Sequence, residues 1–585
     1  MASPVHSPVI DDSYPGKGLE TVQNTIHEKD NGSSQLDPID GPNPTNDDAV
    51  DTTFQSGVQN IEAVTVAWSK TWLVVAYALI WLIYFIQGVI ATTVGSLLPY
   101  VTSAFALHSL TPTVGIISTV VGGVTNLSIA KVLDIFGRPQ GFLFSVILAV
   151  IGLIMSAACN SVEAYAASQV FYTVGINGIG YSLSVFVADT TSLRHRGLMQ
   201  AFATSPNLIT CWLGAGWRWA FGMFAIVVPV FTLPLFGLFQ YQYVKAKNEG
   251  IIKKRDSGRT NWQSVTYYVR EFDAVGLFLI SAGAAFFLLP FNIYFQQAKG
   301  WGSALIICFL VFGILLLVAF GIWEKFFAPV SFIPWDILRD RTVLGACLLS
   351  FTLFISNSCW ALYFSSVLQV VNGLSITDAS YVVQIQTVGS VLTALAGGGI
   401  ISWTGRYRPI SLYFGVPVSI LGLGLLIYFR KADQGIGYIV MCQIFMSFAS
   451  GILIICDEIA IMAAASKQQF FAVSIAVLGL FGSFGSAIGL TISSVIWQNI
   501  LPNKLAQYLP AEDLPNLIMI YADITTQLTY PIGSPTRLAI QHTYGDAQRS
   551  LLIAATTVWV LAVLAVLMWR DIKVIGIKQT KGTVV

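Results

Sequence analysis

The chain has 585 residues, 55% of them hydrophobic and 10% charged, with a mean hydropathy of +0.69 and a net charge of +1. So little polar surface cannot coat a soluble globule of this size, so lipid must solvate most of the chain. The near-neutral balance gives no hold for nucleic acid.

Residues 1–66 are a different material: eleven acidic residues stand against two lysines, interspersed with Pro, Asn and Ser. Such a segment buries too little apolar area to offset its ordering entropy, so a disordered acidic cytosolic tail is expected. No apolar stretch lies near Met1 to serve as a cleaved signal, which leaves the first span to do so.

From Trp72 the chain becomes a series of apolar runs, each near the roughly 20 residues that cross a bilayer. Fourteen are read, at about 72–98, 113–131, 141–159, 165–187, 198–214, 218–241, 273–292, 303–323, 343–368, 380–402, 409–429, 437–462, 470–496 and 550–569. With the N-terminus inside, the outer connections hold only Arg218, Lys299, Arg430, Lys431, Lys504, Arg537 and Arg549 of the 31 Lys and Arg, and the inner ones hold the other 24. That asymmetry supports both the count and the orientation, with both termini cytosolic. The seven cysteines lie in or beside apolar runs without CxxC or neighbouring His, and read as small buried residues rather than a disulfide framework or metal site.

Two turns organise the chain. Ala130-Lys131-Val132-Leu133-Asp134-Ile135-Phe136-Gly137-Arg138 follows the second span, and Gly398 to Gly405-Arg406 follows the tenth, 268 residues later. A repeated Gly-Arg turn between apolar runs is what internal duplication of a membrane protein produces. Glycine allows the tight reversal, and a carboxylate suits a neighbouring helix N-terminus. The domain reading is therefore 67–244 as a six-helix bundle, 245–342 as a cytosolic loop with an inserted helix pair, 343–569 as a second bundle including an outer loop over 497–549, and 570–585 as a cytosolic tail.

Asp134-x-x-Gly137-Arg138 resembles the signature loop of the major facilitator superfamily, and Gly398 with Gly405-Arg406 resembles its degenerate second copy. Departures are Ala130 for Gly, Pro139 for a basic residue, and Ser402 where the first copy has Asp134. Arg194-His195-Arg196-Gly197 is similar to the family's inner Arg-Gly loop. The resemblance implies an all-α integral membrane fold of 14 transmembrane helices, arranged 6 + 2 + 6, working by alternating access. In it Asp134, Gly137, Arg138, Arg194, Arg196, Gly405 and Arg406 would gate the inner face.

The long last outer connection, with Tyr530-Pro531-Ile532-Gly533-Ser534-Pro535-Thr536-Arg537 and Tyr544-Gly545-x-x-Gln548, is too organised for a spacer. Together with Asp189-Thr190-Thr191-Ser192-Leu193-Arg194 and Ser205-Pro206, it resembles the fungal siderophore–iron transporters, over roughly Trp68 to Asp571. One departure is that Trp212-Leu213-Gly214-Ala215-Gly216-Trp217-Arg218-Trp219 runs on directly, as though about ten residues of the fifth and sixth spans' connection were lost. The resemblance implies proton-coupled import of an intact ferric siderophore, hydroxamate in type, across the plasma membrane, with an intracellular vesicle or the vacuole as the alternative location. Tyr530, Ser534, Arg537, Tyr544 and Gln548 would form a lid. The partners expected are the chelate, protons and lipid, the protein is expected to be a monomer, and iron would enter only as part of the chelate, with no resident cofactor or metal site.

A bulky chelate with a shielded metal asks for aromatic faces and neutral hydrogen-bonding groups. Tyr77, Trp81 and Tyr84 share a face of the first span, Trp360 and Tyr363 recur in the ninth with Asn357, and Tyr181, Gln384 and Gln386 add to them. For any one of these, packing between helices is the plainer reading. Proton coupling needs an intramembrane carboxylate, and Asp457, Glu458 and Asp189 are the candidates. Residues 457 and 458 point about 100 degrees apart, so only one can face a central cavity. Glu163 and Asp273 sit at span ends, where solvation or a helix dipole accounts for them.

The competing reading is a fourteen-helix drug:proton antiporter, which shares the helix plan but lacks such an organised outer loop. A non-transporting nutrient sensor would want a larger cytosolic domain than a loop of about 28 residues. An enzyme is not expected: there is no HExxH, His-rich cluster or nucleophile elbow, and no Gly-rich loop with Lys for ATP.

Overall fold

With no water in hydrocarbon to satisfy backbone amides, apolar runs of this length close their hydrogen bonds internally as helices. The computed structural model describes residues 69–104, 111–210, 217–248, 260–328, 338–431, 434–465 and 470–577. The acidic tail, Cys211, the 211–216 connection and most of the 245–259 loop lie outside them.

The helices are α1 (Lys70–Ala104), α2 (Thr111–Phe136), α3 (Arg138–Ala158), α4 (Val162–Thr190), α5 (Leu193–Thr204), α6 (Trp217–Asn248), α7 (Ala274–Leu288), α8 (Ala304–Phe326), α9 (Arg341–Ala361), α10 (Ile376–Thr404), α11 (Val416–Phe429), α12 (Ile436–Ala464), α13 (Phe471–Tyr508) and α14 (Pro535–Thr557, continued by Trp559–Met568). Among the described residues, thirteen are long and apolar enough to cross a membrane. The fourteenth, α5, is broken at Ser205-Pro206 and resumes as the single turn Asn207–Thr210. Pro206 supplies no amide hydrogen and cannot continue the ladder.

α1–α6 and α9–α14 form the two halves. They meet along α2 against α13, and along α5 against α10 and α12. The α7–α8 pair packs beside α2 and α13. In α8 only Ile306, Gly313 and Glu324 are buried, so this helix presents Ile307, Val311, Phe312, Leu315 and Val318 outward. Apolar residues on all sides suit a helix solvated by lipid. Cys308 is likewise exposed, unlike the other described cysteines, which are buried as expected.

Both Gly-Arg turns lie at one end of the bundle, the end that the charge distribution assigns to the cytosol. Gly137 has φ +101° and Gly405 φ +71°, backbone that only glycine adopts without strain. The amphipathic helix Asn261–Glu271 docks at the same end, where Lys131 Nζ donates to the Glu271 carbonyl at 2.7 Å and Phe136 lies 4.9 Å from Tyr268, centroid to centroid. Asp273 caps α7 by accepting from Gly276 N–H at 3.2 Å, and it accepts from Trp323 Nε1 at 2.8 Å, the structural role expected for it.

The opposite end differs most from the sequence reading. The spans expected at 470–496 and 550–569 are α13, running on to Tyr508, and α14, starting at Pro535. The connection is thereby cut to 509–534, itself carrying Leu517–Ala522 and Ile524–Thr529 as short helices. Hydropathy marks only the lipid-facing part of a helix. The extensions are amphipathic and bury Trp497, Leu501, Leu505, Ile540 and Tyr544 against one another.

Candidate functional site

Between the halves, at mid-height, lies a cavity of about 400 Å³. α5 and the turn after it contribute Gln200, Thr204 and Asn207. The second half contributes Asn357 and Trp360 from α9, Gln386, Thr387 and Ser390 from α10, Ser450 and Glu458 from α12, and Trp559. The wall is thus apolar with interspersed neutral amides and hydroxyls and one carboxylate, the usual make-up of a small-molecule site. The volume is at the low end for such sites, roughly 300–1,000 Å³.

Of the two adjacent acids, Glu458 lines the cavity and Asp457 does not. Asp457 is 3% exposed and its Oδ1 has no partner among the described residues. Asp189, the third acid, is fully buried and belongs elsewhere: Arg138 donates from Nε to Asp189 Oδ2 at 3.1 Å and from Nη1 to Asp134 Oδ1 at 3.0 Å. This triad of one guanidinium and two carboxylates staples α2, α3 and α4 together.

The aromatic candidates other than Tyr181 separate into three places. Trp360 is in the cavity wall. Tyr77, Trp81 and Tyr84 stand behind it, bracing α1 against α4 and α5. Tyr77 Oη shares a hydrogen bond with Thr190 Oγ1 at 2.9 Å, and Trp81 Nε1 donates to Ser205 Oγ at 2.9 Å, beside the break in α5. Tyr84 Oη lies 3.4 Å from Ser184 Oγ, which in turn accepts from the cavity residue Gln200 at 2.7 Å. Tyr363 lies nearer the lid, stacked on Trp497 at 3.9 Å.

Two further candidates cross between the halves. Tyr181 Oη donates to the Ala472 carbonyl at 2.6 Å, and Gln384 Nε2 to Thr92 Oγ1 at 3.5 Å.

Of the gating candidates, Arg194 and Arg196 join the halves at the Gly-Arg end, whereas Asp134 and Arg138 are bonded within the first half and Arg406 within the second. Arg194 Nε donates to the Ser402 carbonyl at 2.8 Å, and Ser402 Oγ is 2.8 Å from His195 Nδ1. Arg196 is 1% exposed, holds the Thr191 carbonyl at 3.0 Å, and lies 4.3 Å over the Phe471 ring of the other half. Gly398 permits this closeness, since a Cβ there would come within 2.8 Å of the Leu198 backbone. In the second turn Arg406 is mostly exposed and pairs with Asp571 at 3.8 Å.

The lid candidates form one assembly. Tyr544 packs edge-on to Trp497 at 5.1 Å, and its hydroxyl donates to Gln527 Oε1 at 2.7 Å. Arg537, 2% exposed, donates to the Gln527 carbonyl and, at 3.3 Å, to the Gln369 carbonyl. Ser534 is the N-cap of α14, accepting from Arg537 N–H at 3.2 Å, and Tyr530 Oη donates to Asp513 Oδ1 at 3.4 Å. Burial pushes the Asp523 carboxyl up, but the amides and hydroxyls of Thr525 and Thr526 outweigh it and hold the group below its ordinary value. Gln548 is fully buried further along α14.

Residues 80–329 match the family model of the Major Facilitator Superfamily. Over 549 residues the chain is 48% identical to "MFS siderochrome iron transporter 1" of Ajellomyces capsulatus, covering 92% of this chain and 93% of the relative. The chain belongs to the siderophore–iron transporters of the major facilitator superfamily. It is also 44% identical to "MFS siderochrome iron transporter D" of Aspergillus fumigatus, covering 90% of each chain. "Siderophore iron transporter mirB" of Emericella nidulans is 40% identical, covering 91% of this chain and 89% of the relative. The crystal structure of a peptide transporter POT aligns with TM-score 0.50 at 12% identity, covering 88% of this chain and 99% of that one, and shares the fold.

In this siderophore-transporter family member, several cavity residues escape a search for aromatics and acids: Gln200, Asn207, Thr387, Ser390 and Ser450. Their signal is a neutral polar side chain inside an otherwise apolar span. Asp457 follows Arg406 by the same 51 residues that separate Asp189 from Arg138, but Asp189 adjoins the last residue of α4 whereas Asp457 lies well inside α12.

Proposed function

We propose that this protein is a secondary carrier that imports intact ferric siderophores of hydroxamate type across the plasma membrane by proton symport, and performs no covalent chemistry. The observation that carries the reading is the central cavity, which offers Trp360, Trp559, amides and hydroxyls around a single acid, Glu458. Neutral donors and acceptors suit the carbonyls of a chelate whose metal is already saturated, and metal ligands are not required of the protein. The kinship supports the substrate class, because relatives at 48% and 44% identity are named as siderochrome iron transporters.

The cavity is bounded by α5, α10 and α12, and Arg194, His195 and Ser402 tie the ends of α5 and α10 together at the Gly-Arg end. Breaking those contacts would open the cytosolic side, and separating the lid from α9 would open the other. Glu458 supplies the proton-binding group, charged when water reaches it and neutral when the cavity is closed around apolar cargo. No resident cofactor is required, the gradient serves as the energy source, and one chain contains both halves of the cavity.

The test is uptake in cells lacking other siderophore carriers. Expression of this chain is expected to give accumulation of iron from a preloaded hydroxamate siderophore, abolished by a protonophore. Uptake that persists with the protonophore would overturn symport, and energy-dependent efflux of amphipathic drugs without iron uptake would favour the antiporter reading.

A further inference from the structure

Arg430 sits just past the last turn of α11, at the lid end, and is 3% exposed. Its guanidinium lies 4.0 Å over the Phe364 ring and 5.3 Å over the Trp360 ring, and Nη1 reaches the Trp360 carbonyl at 3.5 Å. Its Nε and Nη2 have no partner among the described residues. The other buried arginines are better supplied: Arg138 has two carboxylates, Arg196 the Thr191 carbonyl, and Arg537 two backbone carbonyls, although Arg537 Nε has no partner among the described residues. Gln548 of α14 lines the same narrow gap as Arg430, a gap too tight in this conformation to hold a water; it is fully buried, with neither amide atom partnered among the described residues. Asn372 and Lys431 border the same space.

A buried cation with no carboxylate beside it among the described residues is disfavoured, and aromatic faces recover only part of that cost. A guanidinium with two free N–H groups and an amide donor opposite it is the arrangement that binds a carboxylate. Position adds to the argument. Trp360 belongs both to this cluster and to the cavity wall, while Gln548 lies one turn along α14 from the lid residue Tyr544. The cluster therefore stands on the path from lid to cavity, and movement of α14 away from α11 would open it.

We infer that Arg430 and Gln548 form an anion subsite that receives a free carboxylate on the incoming ferric chelate before it reaches the cavity. The inference rests on the transport reading above and sharpens it: among hydroxamate chelates, those bearing a carboxylate are the favoured class.

The test compares one ferric hydroxamate chelate carrying a free carboxylate with its methyl ester, in cells expressing the full chain. Wild type is expected to take up the acid with a KM about tenfold below that of the ester. Arg430→Gln should erase the difference by raising KM for the acid, leaving the ester within about twofold, and Arg430→Lys should retain part of it. Equal KM values in wild type, or equal losses for both chelates in Arg430→Gln, would overturn the subsite. Should Arg430→Gln fail to reach the surface, Gln548→Leu carries the same comparison, with the same outcomes deciding it. Uptake of the ester without discrimination defeats only this inference, whereas uptake of neither chelate by wild type defeats the transport reading and this inference with it.

Discussion

Asp189 and Asp457 each lie 51 residues beyond the arginine of their own Gly-Arg turn, yet only Asp189 is bonded to that arginine. In the first half Arg138 is buried between Asp134 and Asp189. In the second half Ser402 replaces the first carboxylate, Arg406 has moved out to Asp571, and Asp457 is left buried beside Glu458. The first half thus has a buried triad that staples its helices, whereas in the second Ser402 holds α5 and Asp457 lies next to the cavity acid.

Glu458→Gln is expected to abolish proton-driven accumulation while leaving counterflow exchange of siderophore within about twofold of wild type, because exchange needs no net proton movement. Counterflow in vesicles preloaded with unlabelled chelate checks this. Equal loss of both activities would assign Glu458 to substrate binding, and loss of neither would remove it from coupling.

Arg138→Ala leaves two carboxylates buried without their cation, so a destabilisation of about 3–5 kcal/mol is expected. Combining it with Asp189→Asn should recover part of the loss, since one unpaired charge is then gone. Thermal unfolding in detergent, followed by monodispersity on size exclusion, reads out both variants.

A branched side chain at Gly398 is expected to hold the Gly-Arg end apart, since even a Cβ there approaches the Leu198 backbone to 2.8 Å. Gly398→Val should reach the membrane and bind substrate, but lose uptake by about tenfold or more. Ser402→Cys should then react faster with a thiol reagent applied from the side that the Gly-Arg end faces than it does without the valine.

Tyr544→Phe removes one buried hydrogen bond, to Gln527, and should cost about 1 kcal/mol of lid stability. Arg537→Ala removes contacts to both Gln527 and Gln369 and should cost more. Hydrogen exchange over 509–534 is the measurement: protection should fall in the order wild type, Tyr544→Phe, Arg537→Ala. If the lid takes part in uptake, the rates should fall in the same order.

Much of the fold was legible because lipid imposes a strong rule: spans are apolar and about as long as the bilayer is thick. The turns at Gly137 and Gly405, the inserted α7–α8 pair and thirteen long spans follow from it. The rule weakens where helices leave lipid, so the ends of α13 and α14 were misplaced and an apparent fifty-residue loop is largely helix. At the site, Trp360 and Glu458 could be picked out as an aromatic and an acid inside apolar spans. Tyr77, Trp81 and Tyr84 carry the same sequence signal but brace α4 and α5, because helical spacing defines a shared face without saying which neighbour covers it. The polar wall sets Gln200 and Asn207 of the broken α5 span against Ser450 of α12, and only packing brings the two spans together.

The central claim is that the cavity between the halves carries the whole chelate inward at the expense of a proton gradient. Its most direct test uses the purified protein in proteoliposomes with an imposed inward proton gradient, and a hydroxamate siderophore labelled separately in its iron and its organic frame. The expected result is accumulation of both labels in the ratio of the intact chelate, collapsing when the gradient is dissipated. Accumulation of iron alone, or of both labels at the same rate without a gradient, would contradict it.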